Sequence, residues 1–423
     1  MGPKGLITIL ASFSMCVGCF RSTTRNHIQR DFLNDLHEHI HDKQPLPKDP
    51  FLIIWNTPSE GCKGFGVNLN LTAFDVVVNK DQKFTGDFVT IFYTPQLGTY
   101  PYVDKDGIHN GGIPQHVNLT SHLNKVKSDI KRAIPDQNFQ GVGVIDWENW
   151  RPTWERNYDS KIIYQNLSEA DVFQRHPSWN HTQIQIYAKS EFEQAARDMM
   201  EQTVRVSNDT RPGGYWGYYE FPECYNYAGS PECSTKTKQQ NDKLNWLFSA
   251  STALFPSVYL HSKLKTKTLK QNFVHGQVQE AQRVAKGTKQ GDKPVFVYAR
   301  YRFANDQSFY KKDDLEASIG EIFNMGANCV ILWGSSENVK TASKCKELEV
   351  YLNSTLGPYV KSINSFASKC SQLNCNGKGR CVLQNTSPRG TEYHVHGTNH
   401  LWNMEHYDCK CYPGWSGPQC KVH

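Results

Sequence analysis

GVGVIDWENWRP, residues 141–152, rises as a buried strand and ends on two acids, a second indole and a helix-breaking proline. Side chains of a strand alternate between its faces, so Asp146 and Glu148 project from the same side and their carboxyls come close enough to interact. Two like charges in a partly dry site do not both ionise easily. One member of the pair is therefore expected to keep a proton near neutral pH, which is what general-acid chemistry requires. The plainer alternative is a solvated strand end whose acids are exposed or paired to Arg151 or Arg156.

Similar runs recur outward in both directions. PFLIIWNTP (50–58), DFVTIFYT (87–94) and GYWGYYEFP (214–222) are candidate strands, followed by TALFPSVYL (252–260), KPVFVYARYRF (293–303) and ANCVILWG (327–334). Between them lie stretches such as SHLNKVKSDIKRAI (121–134) and AKSEFEQAARDMMEQTVRV (188–206), with apolar residues three and four apart. Alternation of this kind predicts an α/β fold with a parallel sheet, and seven strands favour a TIM-like β/α barrel over an open doubly wound sheet. No glycine-rich phosphate fingerprint follows the first strand, which counts against nucleotide binding. Acids at the carboxyl end of a barrel strand stand where barrel enzymes place their catalysts.

The chain has 423 residues, 38% apolar and 21% charged, with ten Trp, twenty Tyr and 21 Phe. That suits one large domain and a small module, and excludes extensive disorder. Residues 1–21 read as a signal peptide, with Lys4 before a short apolar run, so the protein is expected to be exported, either secreted or lysosomal. No second long apolar run follows and the tail GPQCKVH is polar, so no membrane anchor is expected. Asn70, Asn118, Asn166, Asn180, Asn208 and Asn353 begin N-x-S/T triplets, as does Asn385, and are candidate glycosylation sites. The net charge of +6 is scattered; it describes a solvated surface or, more sharply, one that meets a polyanion. KLKTKTLKQ (263–271) lacks the aromatic interleaving of a nucleic-acid site, and no nucleic acid is expected. HEHIHD (37–42) precedes the first strand and lacks metalloenzyme spacing, so no metal and no cofactor are expected.

Thirteen cysteines, eleven once Cys16 and Cys19 leave with the leader, suit an oxidising compartment. Cys224 and Cys233 can close a short loop beyond the fourth strand. Cys62 and Cys345 can tie the first βα loop to the end of the barrel. Cys329, inside an apolar strand, is expected to be a buried inert thiol. At residue 369 the composition changes: Cys370, Cys375, Cys381, Cys409, Cys411 and Cys420 follow in a segment too short to hold itself by apolar burial. Their spacing resembles an EGF-like module and leaves fifteen connectivities open, with zinc as a weaker alternative. The expected division is a leader (1–21), a barrel (22–368) and the module (369–423), whose own partner the sequence does not name.

Taken together, GVGVIDWENWRPTW, WGYYEFPECYNY, TALFPSVY, VTIFYTPQLGTYPY and the cysteine segment resemble the hyaluronidase family of glycoside hydrolases over nearly the whole chain. The resemblance implies a distorted β/α barrel with an EGF-like appendage, paired Cys370–Cys381, Cys375–Cys409 and Cys411–Cys420. It implies endo-acting hydrolysis of β-1,4 bonds between N-acetylglucosamine and glucuronic acid in hyaluronan, with chondroitin as a second substrate to weigh. Glu148 would be general acid and base; the substrate's N-acetyl oxygen would act as nucleophile, with net retention, and Asp146 would orient the acetamido group. Tyr219 would lie near that group, with Tyr93, Tyr259, Trp333 and Trp147 lining the cleft. Many relatives carry arginine at the position of Gln277, which is expected to touch substrate without a charge. A non-catalytic glycosaminoglycan-binding protein on the same fold is the rival reading; the presence of Asp146, Glu148 and Tyr219 disfavours it.

Overall fold

The computed structural model describes residues 50–289, 291–384 and 403–423, all within one compact unit. The leader, the HEHIHD tract and the Asn385 triplet lie outside the described residues. In chain order the strands are β1 (Leu52–Asn56), β2 (Val77–Val78), β3 (Val89–Tyr93), the hairpin β4 (Tyr102–Asp104) and β5 (Gly107–His109), β6 (Val142–Asp146), β7 (Tyr215–Tyr218), β8 (Phe296–Ala299), β9 (Cys329–Trp333), and a second hairpin, β10 (Gly379–Leu383) and β11 (Tyr407–Cys411).

The parallel strands form two ladders, β2-β1-β9-β8 and β3-β6-β7. The run 252–260, expected as a full strand, joins them by single bridges only: Tyr219 with Phe255, Leu254 with Val295, and Ser257 with Tyr298. Pro256 is the reason. It has no N–H to give a ladder, so regular pairing cannot pass through it. At the other side of the order Asn79, just after β2, accepts from the Phe88 and Val89 amides at 2.9 Å each and donates to the Val89 carbonyl at 2.8 Å. A single amide side chain thus stitches the first ladder to the second.

Alternation along each strand sorts the apolar residues into two layers. Leu52, Ile54, Val89, Ile91, Val142, Val144, Phe255, Phe296, Tyr298, Cys329 and Ile331 pack together as one inner cluster. Ile53, Trp55, Phe92, Ile145, Val297 and Val330 face the other way and pack with the helices. Strands buried on both faces are the signature of a helix-covered parallel sheet, and each such side chain contributes roughly 1.5–3 kcal/mol of transfer free energy. Cys329 belongs to the inner layer, where burial pushes its thiol well above the usual range.

The covering helices start at capped positions. Asn118 accepts from Ser121 N at 3.0 Å to begin Leu119–Ala133, Asn180 and Gln183 form a capping box for His181–Thr210, and Thr266 caps Lys267–Lys286. No helix among the described residues is long and apolar enough to cross a membrane.

Among the described residues five disulfides are present: Cys62–Cys345, Cys224–Cys233, Cys370–Cys381, Cys375–Cys409 and Cys411–Cys420. The first spans 283 residues, the longest loop of the five, and ties the turn after β1 to the helix Ala342–Tyr351 after β9. Because closing a long loop restricts the unfolded chain most, Cys62→Ser with Cys345→Ser is expected to lower stability by about 2–5 kcal/mol. Denaturant unfolding of the double variant checks this, and an unchanged midpoint overturns it.

The compositional change at residue 369 is not a break in the fold. Helix Gly357–Asn374 runs through it and carries Cys370. Beyond it, Arg380 of β10 is buried and donates to Gly326 O at 2.9 Å, and Tyr407 packs on Phe323 and Phe366 while its hydroxyl bonds Asn324 at 2.8 Å. Apolar and polar contacts thus join the cysteine-rich segment to the helix and strand that precede it.

Candidate active site

Val142 and Val144 of β6 point into the inner cluster, so Asp146, two residues on, emerges on that same side at the carboxyl end of the strand. It is only 7% exposed, whereas Glu148, just past the strand, is open to solvent. Burial above all, then the charge of Glu148 and a hydrogen bond with it, then Glu220, push the Asp146 carboxyl up to about 9. In the free protein, then, Asp146 keeps its proton well above the ordinary carboxylate range, because burial and a neighbouring acid disfavour its charge.

The neighbouring strand ends complete a ring of inward-facing side chains. Tyr93 of β3 is paired in register with Asp146, and its hydroxyl accepts from Trp333 Nε1 at 2.9 Å. Burial, with the charges of Asp146 and Glu148, pushes that phenol up to about 12. Tyr219, immediately after β7, has its hydroxyl 3.1 Å from Ser257 Oγ and its ring centroid 6.0 Å from that of Tyr259. The Tyr259 ring in turn stacks on Trp333 with centroids 5.8 Å apart. Thus Asp146, Glu148, Tyr93, Tyr219, Tyr259 and Trp333 form one connected cluster of acids and aromatic walls. Ser257 was not anticipated; it enters through the irregular run around Pro256.

Two residues expected to touch substrate stand elsewhere. Trp147 is 2% exposed and stacked on Tyr100 with centroids 4.7 Å apart, because period two turns it to the helix side when Asp146 faces inward. Gln277 is buried on helix Lys267–Lys286, where its Oε1 accepts from Cys224 N at 2.9 Å and its Nε2 donates to Asn226 Oδ1 at 3.2 Å. A buried amide must be satisfied, and Gln277 meets that need by anchoring the loop closed by Cys224–Cys233.

The acids are not neutralised in the way the plainer alternative supposed. Arg151 is buried but pairs with Glu220, and with Glu223 at 3.3 Å, while its Nη1 reaches the Glu148 carbonyl at 3.4 Å. Lys161 also bonds that carbonyl. Both cations hold the backbone carbonyl of Glu148, among the described residues neither makes an ion pair with its carboxyl, and Arg156 goes instead to Asn241 at 2.7 Å. Glu220 is held at φ 66°, a left-handed conformation uncommon for a side-chain-bearing residue, and burial pushes its carboxyl up to about 8 against the pull of Arg151. Sequence could not supply this pairing, since the partners are 69 and 72 residues apart.

Comparison with known proteins gives the arrangement its family. A glycoside-hydrolase family model described as hyaluronidase matches residues 41–423. Hyaluronidase from Echis ocellatus is 37% identical over 418 residues, covering 91% of this chain and 93% of that protein. Hyaluronidase-1 from Homo sapiens is 38% identical over 404 residues, 89% of this chain and 93% of that one. Bee venom hyaluronidase, solved in complex with a hyaluronic acid tetramer, superposes with a TM-score of 0.70 at 37% identity, over 74% of this chain and 99% of that chain. With the acids, the aromatic walls and the strand order all on one side of this comparison, the chain belongs to the hyaluronidase family of glycoside hydrolases.

Proposed function

We propose that this protein is an endo-acting hydrolase of hyaluronan, cutting β-1,4 bonds between N-acetylglucosamine and glucuronic acid, with chondroitin as a second substrate. The observation that carries the reading is the pair of acids at the carboxyl end of β6, Asp146 buried and Glu148 open to solvent, beside Tyr219 at the end of the neighbouring strand β7. The strand order and the single inner cluster support a distorted β/α barrel, and the three clustered disulfides of the C-terminal hairpin support an EGF-like module. Five disulfides favour export to an oxidising compartment, and exposed Asn70, Asn118, Asn166, Asn180 and Asn353, with half-buried Asn208, are candidates for glycans.

When the polymer covers Glu148, water leaves it and the proton moves to it from Asp146. Glu148 then protonates the leaving glycosidic oxygen as the substrate's own acetamido oxygen attacks the anomeric carbon. Asp146, now a carboxylate, accepts from the acetamido N–H and stabilises the positive charge that develops there. Water, deprotonated by Glu148, opens the cyclic intermediate with net retention. Tyr219 donates toward the acetamido oxygen, so Tyr219→Phe is expected to reduce kcat by about 10- to 100-fold with KM little changed. An unchanged kcat removes Tyr219 from this role.

The deciding experiment is depolymerisation of hyaluronan and chondroitin by the purified protein from acid to neutral pH. Release of new reducing ends is expected; tight binding of either polymer without cleavage overturns the reading in favour of a non-catalytic binder.

A further inference from the structure

Among the described residues, Arg300 is a cation that a strand end directs to the side of the acids. Phe296 and Tyr298 of β8 belong to the inner cluster, so alternation brings Arg300, two residues past Tyr298, to the same side as Asp146. The register of β8 with β9, Tyr298 with Ile331 and Ala299 with Leu332, sets Arg300 level with Trp333. Its guanidinium lies 5.0 Å from the Trp333 ring centroid and 5.5 Å from that of Tyr259. The residue is 8% exposed, its Nη2 donates to Gln307 Oε1 at 3.0 Å, and among the described residues it makes no ion pair. Arg151, the other buried arginine at these strand ends, is held by two glutamates.

A guanidinium offers five N–H donors in a planar fork suited to a carboxylate, and a buried charge without a counter-charge is unfavourable until one arrives. Aromatic faces flank Arg300 and stiffen it but do not neutralise it. Asp146, Glu148 and Glu220, on the other side of the opening, offer a polyanion no positive charge. Gln277, buried on the helix layer, supplies nothing to offset this.

We propose that Arg300 is a specificity-determining residue that binds the carboxylate of a uronic acid in the polymer, holding that sugar against the Trp333–Tyr259 wall. This rests on the hydrolase reading above and names which part of the substrate is read and by what. Neutral polymers of N-acetylhexosamine lack the group that Arg300 selects.

The test compares hyaluronan with hyaluronan whose carboxyls have been reduced to primary alcohols, using the wild type, Arg300→Gln and Arg300→Lys. For the wild type, carboxyl reduction is expected to raise KM by about 10- to 100-fold. Arg300→Gln should raise KM on hyaluronan by a similar factor, change kcat little, and leave KM on the reduced polymer within about twofold; Arg300→Lys should fall between, since it keeps the charge but loses the fork. Comparing two polymers on one folded sample cancels any loss of folded protein. Equal losses on both polymers, or a loss confined to kcat, overturn the assignment. If the wild type cleaves neither polymer, the hydrolase reading fails. Dissociation constants of oligosaccharides of the two kinds then decide Arg300 alone: discrimination lost in Arg300→Gln supports it, and discrimination retained overturns it.

Discussion

Glu148→Gln is expected to cut hyaluronan depolymerisation by about 10³-fold or more across the pH range while leaving polymer binding within a few-fold. The carboxyl acts twice, first as acid on the leaving oxygen and then as base toward water, and an amide of the same volume does neither. Binding survives because Arg151 and Lys161 hold the backbone carbonyl of residue 148 and not its side chain, so the loop keeps its course. The substitution also removes a charge that helps hold the proton on Asp146, so the Asp146 carboxyl should move down from about 9. Reducing-end release and oligosaccharide titration measure the two effects separately. A variant keeping more than about a tenth of the wild-type rate removes Glu148 from the acid role.

The second large effect is expected for Asp146→Asn: a fall in kcat of about 10²- to 10³-fold together with an acid-ward shift of the alkaline limb of the pH profile. The sign follows from where the proton is held. A raised carboxyl keeps its proton to higher pH, so the wild-type pair stays competent as an acid until pH rises through the range that Asp146 sets, about 9 in the free protein. Asparagine removes the raised carboxyl that sets this limb, so activity is lost first at the neutral end. The kcat loss has a separate origin, since an uncharged amide cannot offset the positive charge developing on the acetamido nitrogen. A pH profile of kcat/KM in which the limb stays in place contradicts the part given to Asp146.

How far the sequence reached can be judged residue by residue. Asp146 was legible because a strand has period two, which needs no tertiary knowledge to put it on the inner side, while Glu148 stands just past the end of that strand. Trp147 was placed in the cleft by the family resemblance, although the same rule puts it on the opposite face, where it is buried against Tyr100. Gln277 was misassigned for another reason: an i, i+3, i+4 pattern says which face of a helix is buried but not what lies beneath it, and the Cys224 amide that it serves is 53 residues away. The run 252–260 read as a strand by composition, and only the missing N–H of Pro256 reduces it to bridges.

By itself the sequence determined the alternation of strands and helices, the inner face of Asp146, and a cysteine-rich C-terminal segment, because each follows from periodicity or spacing along the chain. Tertiary structure alone decided that Asp146 is buried and its carboxyl raised, that Arg151 is taken by Glu220 and Glu223, that Arg300 stands in the opening without an ion pair among the described residues, and that the cysteine-rich segment packs on its neighbour. Those properties depend on burial and on distances between groups far apart in the chain. Electrostatic energy and desolvation are set by separation in space and exclusion of water, neither of which a one-dimensional pattern encodes.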